Sequence, residues 1–110
     1  MMRRLVRAAI RNATVTRGDS LTLRIDPLIL TAANILPLEE VEAIDHATGQ
    51  RTVTFAEAGG RGEITAPRMR AGDTISILSW GTMHDGQTLH HTARIVTLDA
   101  TNTVIAVVET

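Results

Sequence analysis

The side chains that could transfer protons in this chain are four histidines and twelve carboxylates, because its 110 residues include no Cys, Lys or Tyr. That absence excludes a thiolate nucleophile, a zinc-cysteine site, a lysine Schiff base and a phenol acid. His46 follows the alternating segment 41–45 and is a candidate acid or base near neutral pH. His90 and His91 are adjacent and would point to opposite faces of a strand, so no metal site is predicted.

A second candidate group places a carboxylate beside two hydroxyls: Asp19, Ser20 and Thr22. If this segment borders a pocket, Asp19 would act as a general base and the hydroxyls would contact or attack a substrate. The alternative is an ordinary turn that begins at Gly18. The lone Trp80 leaves the same two possibilities open, since it either lines a pocket or packs in the core.

Composition narrows the class of partner. A net charge of −1 and only two aromatic residues, Phe55 and Trp80, give no basic or stacking surface for nucleic acid. The apolar runs are too short to span a membrane, and the first residues lead into no signal peptide, which predicts a cytoplasmic protein without a membrane partner. We expect one domain over residues 1–110, with a thin core that favours a homo-oligomer.

The elements that must position these residues are mostly strands. Short alternating segments rich in Val, Ile and Thr lie between turn residues, which predicts strands at 12–16, 21–25, 41–46, 51–57, 74–80, 92–98 and 103–108. His84 falls in a predicted hairpin turn, 83–86. Asp26 as N-cap and Pro27 at the first position predict a short helix over 28–35. The result is a mainly β domain with one or two short helices.

Short blocks follow one another along the chain in a characteristic order and spacing. They are IRNATVT (10–16), ID (25–26), AANIL (32–36), VEAID (41–45), TGQRTVTFA (48–56), GRG (60–62), AGDTISI (71–77), TM (82–83) and ARIV (93–96). In this order the chain resembles the small pyruvoyl-dependent aspartate α-decarboxylases of bacteria. The resemblance implies a six-stranded double-psi β-barrel and a homotetramer with active sites between neighbouring subunits.

The resemblance also implies a self-processing reaction. In that family the Ser of a Gly-Ser pair attacks the preceding carbonyl, and the resulting ester eliminates to leave an N-terminal pyruvoyl group, the electron sink for loss of carbon dioxide. Here the Gly and Ser positions fall on Leu21 and Thr22. Leu hinders the strained backbone that Gly tolerates, and Thr would yield only a 2-oxobutanoyl analogue. We therefore expect no pyruvoyl cofactor unless the chain is processed at an unusual position.

Other positions of the family pattern are also replaced. The family's proton-donating Tyr falls on Phe55, its Lys on Ala9 and its Asn near Pro67. The family's His corresponds to Arg11, whose permanent charge could provide a second anchor for a diacid. The decarboxylation route thus lacks both its cofactor and its acid.

Two family residues keep their types: Arg51, which the resemblance assigns to the substrate carboxylate, and Thr54, assigned to the processing geometry. Arg can hold a carboxylate by two parallel hydrogen bonds without any pyruvoyl group. The leading hypothesis is a repurposed, unprocessed enzyme that binds a small carboxylated molecule between subunits. Arg51, Thr54 and Arg11 would contact that molecule, with Phe55 and Trp80 lining the site.

The reaction that this hypothesis predicts is acid-base chemistry, such as cyclisation, elimination or isomerisation, because His and carboxylates are the available groups. Two alternatives remain open. The first is a genuine self-processing decarboxylase that cleaves before Ser20 or Thr22. The second is a non-catalytic structural or regulatory paralogue.

Overall fold

The computed structural model describes residues 1–18 and 21–110. Within these residues, seven strands form one sheet in the order β2-β4-β3-β5-β1-β6-β7. The strands are β1 (Met2–Thr14), β2 (Leu23–Ile25), β3 (Glu40–Asp45), β4 (Arg51–Ala58), β5 (Thr74–His84), β6 (Arg94–Leu98) and β7 (Val104–Glu109). Two helices complete the described part: α1 (Pro27–Ala33) and a 3-10 helix, Asp85–His90.

The sheet mixes antiparallel and parallel neighbours. β1 pairs antiparallel with β5 and parallel with β6, and β2 pairs parallel with β4. Two register shifts in β1, between Val6 and Ala8 and between Ile10 and Ala13, increase its twist. The curled sheet confirms the predicted mainly β fold and is consistent with the double-psi barrel of the resembled family.

All seven predicted strands overlap observed ones, but their lengths differ. β1 begins at Met2 because its first half pairs with the end of β5, a long-range contact that the local pattern at 12–16 does not encode. β5 extends to His84, and the 3-10 helix follows where a hairpin turn was predicted. In the described residues the sheet has seven strands, whereas the resemblance implied a six-stranded barrel.

Helix α1 begins on the predicted Asp26–Pro27 signal and ends at Ala33, two residues before the predicted end at residue 35. The Asp26 carboxylate accepts a hydrogen bond from the Leu28 N–H at 2.8 Å, and Pro27 takes the first helical position. At the other end, Asn34 adopts the left-handed conformation with φ of 55° and donates its backbone N–H to the carbonyls of Leu30 and Thr31. The second oxygen of Asp26 accepts from Gly62 at 2.7 Å, which ties the helix start to the loop after β4.

The core lies on the inner face of the curled sheet. Alternate residues of β3 and β5, including Val41, Ala43, Ile75 and Ile77, are fully buried there. α1 covers the core with Ile29 and Leu30. The intervening residues of the same strands face outward, so each strand carries side chains toward both surfaces.

Candidate functional site

The peptide that joins Leu21 to Thr22 is held by hydroxyl groups. The Thr54 hydroxyl donates to the Leu21 carbonyl oxygen at 3.3 Å. The Thr65 hydroxyl donates to the carbonyl oxygen of Thr22 at the same distance. The Thr22 hydroxyl itself donates to Glu57 Oε2 at 2.9 Å. Both sides of this peptide bond are therefore fixed, and the hydroxyl beside it faces a carboxylate.

The parallel pairing of β2 and β4 produces this arrangement. Leu23 lies opposite Ala56 and Arg24 opposite Glu57, so Thr22, just before β2, comes next to the second half of β4. Thr65 is fully buried, and its hydroxyl also accepts a hydrogen bond from the Arg24 backbone N–H at 3.2 Å, which fixes the position of this hydroxyl.

A cleft of about 530 Å³ opens beside this peptide. It lies along the first half of β4, where the strand pairs with β3 on one side and, in the described part of the chain, with no strand on the other. Its lining is Leu21, Arg51, Thr52, Val53, Thr54, Pro67 and Arg68. Leu21 is 92% exposed, so the cleft is reached directly from the surface of this chain.

Two guanidinium groups, those of Arg51 and Arg68, make the cleft positively charged. Arg51 Nε lies 2.5 Å from Glu42 Oε1, and the Arg51 side chain is 59% exposed whereas that of Glu42 is 12% exposed. Arg68 has a φ of 63° and forms no ion pair with the described residues. Within the described residues, a carboxylated ligand would meet one partly compensated cation, Arg51, and one without an ion-pair partner, Arg68.

The two family residues lie on different faces of β4. Arg51 is opposite Ile44 on the outer face, whereas Thr54 is opposite Val41 and faces inward to Leu21. Both border the same cleft because the strand edge between them is open. The Thr52 hydroxyl, also in the lining, is buried and has no hydrogen-bond partner among the described residues.

The other candidates lie elsewhere, except Phe55, which is on the outer face with Arg51 and next to the cleft. His46 Nε2 hydrogen bonds to Ser76 Oγ at 2.7 Å and is not in the cleft lining. Arg11 is exposed on β1, opposite Thr97 of β6. Trp80 stacks under Arg4, whose Cζ is 4.3 Å from the ring centre. Asp19 and Ser20 lie outside the described residues.

Sequence reasoning missed Glu57, Thr65 and Arg68. Glu57 and Thr65 reach Thr22 only through the β2–β4 register and the chain segment after β4, so no local spacing signals them. Arg68 directly follows Pro67, the position near which the family's processing-site Asn falls. This neighbouring position was the one signal in the sequence that could have indicated Arg68.

Nearby charges are mostly compensated. Glu63 accepts hydrogen bonds from the backbone of Gly60 and from Arg24, and both lower the pKa of its carboxyl group. Arg17 adds a second ion pair to Glu63 at 3.6 Å. These contacts anchor the loop after β4 to β2 and leave Glu63 ionised near neutral pH.

Neither a metal centre nor a spanning helix is found in residues 1–18 and 21–110. There, no three His, Asp or Glu side chains converge as metal ligands. No helix in the same ranges is both long enough and apolar enough to cross a bilayer.

Comparison with known proteins identifies the family of this chain and is consistent with its fold. The family model described as "Aspartate decarboxylase" matches residues 1–105. The aspartate 1-decarboxylase of Moorella thermoacetica (strain ATCC 39073 / JCM 9320) is 34% identical over 117 aligned positions, which cover 97% of this chain and 91% of that relative. The match spans β1 to β7 and includes the β4 cleft with the peptide beside it, and the chain belongs to the aspartate decarboxylase family.

Proposed function

We propose that this chain is an enzyme that binds a small carboxylated metabolite in the β4 cleft. The observation that carries this proposal is the pair of arginines, Arg51 and Arg68, in an open cleft directly beside the Leu21–Thr22 peptide. Arg offers a planar fork of donors that matches a carboxylate, and two such groups suit a dicarboxylate such as aspartate. Thr52 and Thr54 add hydroxyl groups for the polar part of the ligand.

One candidate chemistry keeps the backbone intact and uses acid-base catalysis, such as cyclisation, elimination or isomerisation. The replacement of Gly-Ser by Leu21-Thr22 supports it. His46 and Ser76 form an imidazole–hydroxyl contact, but neither residue is in the cleft lining. That lining contains no His and no carboxylate in residues 1–18 and 21–110, so the described lining does not supply the acid or base of this chemistry.

The second candidate chemistry is self-processing between Leu21 and Thr22, and specific contacts favour it. Thr54 donates to the Leu21 carbonyl oxygen, which is where negative charge would develop during attack on that carbonyl. The Thr22 hydroxyl contacts a carboxylate that could accept its proton. Because Thr carries a methyl group on Cβ, these residues fit a 2-oxobutanoyl group rather than a pyruvoyl group, and such a group would supply the ketone for decarboxylation of an amino acid.

Assembly with further copies of the chain is part of the proposal. The aspartate decarboxylase family is oligomeric. Leu38 is 75% exposed and Val53 is 61% exposed, and with Phe55 they line a depression that continues the cleft along β4. An apolar surface at this place suits a neighbouring subunit that closes the cleft. We propose a homotetramer, which native mass spectrometry of the purified chain tests directly.

The experiment that separates the two chemistries combines denaturing intact mass with an assay of carbon dioxide release from L-aspartate. The second candidate predicts fragments 1–21 and 22–110 and release of carbon dioxide. A full-length chain that binds L-aspartate or succinate without releasing carbon dioxide supports the first. A full-length chain that binds no small carboxylate contradicts both and favours a non-catalytic paralogue.

A further inference from the structure

Glu57 contacts the hydroxyl of Thr22, and no residue of the family pattern accounts for that contact. The Glu57 side chain lies on β4 opposite Arg24, and its Oε2 accepts the Thr22 hydroxyl at 2.9 Å. We propose that Glu57 is the general base that takes the proton of the Thr22 hydroxyl when this oxygen attacks the carbonyl carbon of Leu21. The inference rests on the second candidate chemistry and assigns its proton acceptor.

The ion pairs of the surrounding carboxylates support Glu57 in this role. Glu42 is paired with Arg51, and Glu63 with Arg24 and Arg17. Among the described residues no arginine lies within ion-pairing distance of Glu57. An ionised carboxylate without a cationic partner accepts a proton more readily than one that is neutralised, because an adjacent positive charge favours the ionised form.

The hydroxyls on either side hold the peptide for this step. Thr54 donates to the Leu21 carbonyl oxygen and so supports the oxyanion of a tetrahedral adduct. Thr65 holds the carbonyl of Thr22, which restricts rotation of the residue that carries the nucleophile. The nucleophile, its base and the oxyanion donor thus come from β4 and the segment that enters β2.

The reaction balances with water as the added reagent. Glu57 removes the proton from Thr22 Oγ1, the O–C bond to Leu21 forms, and the C–N bond breaks as the proton passes to the nitrogen, which leaves an ester. Loss of the Thr22 Cα proton and cleavage of the Cβ–O bond release Leu21 as a carboxylate. Water then hydrolyses the resulting enamine, through its imine tautomer, to a 2-oxobutanoyl group and ammonia. The base assigned to Glu57 acts in the first of these steps.

The test follows cleavage by denaturing intact mass in freshly synthesised chains over time. Wild type is compared with Glu57→Gln, Glu57→Asp and Thr22→Val, and Glu109→Gln on β7 serves as a matched control for loss of a carboxylate. We expect Glu57→Gln to cleave about 100-fold more slowly than wild type, in line with the loss of a general base. Glu57→Asp should recover part of the rate, Thr22→Val should not cleave, and Glu109→Gln should behave as wild type.

Each outcome distinguishes the inference from the function on which it rests. Cleavage of Glu57→Gln at the wild-type rate overturns the role of Glu57 and leaves the second candidate chemistry in place. A wild-type chain that stays full length overturns both. Circular dichroism of each variant shows whether it is folded. The cleavage rate of Glu57→Asp provides a second readout. If the Glu57 carboxylate were merely structural, folded Glu57→Asp and folded Glu57→Gln would cleave at the same rate.

Discussion

Arg51 and Glu42 form an ion pair at 2.5 Å across the β3–β4 ladder, with the carboxylate mostly buried and the guanidinium largely exposed. Glu42 is opposite Val53, so its side chain projects from the same outer face as Arg51. Because Arg51 lines the cleft, Glu42 competes with any carboxylate that enters for the same guanidinium group.

Removal of the Glu42 charge should therefore strengthen ligand binding. In Glu42→Gln, Arg51 loses its competing partner, and we expect the affinity for succinate to rise about 2- to 5-fold, which is the scale of a partly exposed ion pair. Isothermal titration calorimetry measures this change, with Glu109→Gln as the control. If the affinity for succinate falls or stays equal in Glu42→Gln, Glu42 contributes more by positioning Arg51 than it costs by competing with the ligand for the Arg51 guanidinium group.

Thr54 is predicted to act on the Leu21 carbonyl oxygen. Thr54→Val keeps the side-chain shape but removes the donor, so cleavage at Leu21–Thr22 should slow by about 100-fold or more, the usual effect of losing an oxyanion donor. Thr54→Ser keeps the hydroxyl and should cleave at a rate close to wild type. Intact-mass time courses measure both, and equal rates for Val and Ser would contradict the assignment.

Asp26 is predicted to be a large contributor to stability. The residue is 5% exposed, and its carboxylate accepts hydrogen bonds from the N–H groups of both Leu28 and Gly62. Asp26→Ala leaves these donors without their acceptor, and we expect a loss of about 2 kcal/mol or more in the free energy of unfolding. Asp26→Asn keeps one acceptor oxygen and should lose less. Urea unfolding monitored by circular dichroism tests the order, which the reverse ranking would contradict.

Glu39 is predicted to make stability depend on pH. Burial raises the pKa of its carboxyl group, but hydrogen bonds from Ser79 and Arg7 outweigh this effect and lower the pKa below 4.5. The stabilisation is thus present above pH 4.5 and is lost as the pH falls through the lower folded value. The melting temperature should fall over that range, and more steeply in wild type than in Glu39→Gln. Parallel curves for the two proteins would rule out this contribution.

The sequence predicted the strands and α1 because their signals are local. The alternation of apolar and polar residues in β3 to β7 can be recognised within a few residues, and so can the Asp26–Pro27 signal at the start of α1. The first half of β1 was missed because Met2 to Val6 are strand only through pairing with the end of β5. The same reason explains the site: Arg51 and Thr54 were identified by motif, whereas Glu57 reaches Thr22 through the non-local β2–β4 register.

His46 and Arg11 show that residue type and position in the sequence did not suffice to place a residue in the cleft. Each was a reasonable candidate by type, but His46 contacts Ser76 and Arg11 lies on β1, three strands from β4 in the sheet order. Their contribution to a cleft shared between subunits stays a prediction. His46→Gln and Arg11→Gln should leave succinate affinity unchanged in the isolated chain if they act only across an interface.

The most direct test of the carboxylate cleft is an NMR titration of the isotopically labelled chain with succinate. Binding between Arg51 and Arg68 predicts shifts of the backbone amide signals of Thr52, Val53 and Thr54, and loss of these shifts in Arg51→Ala but not in Arg61→Ala, an exposed arginine outside this lining. Shifts that persist unchanged in Arg51→Ala, or that map away from β4, would contradict the proposed binding site.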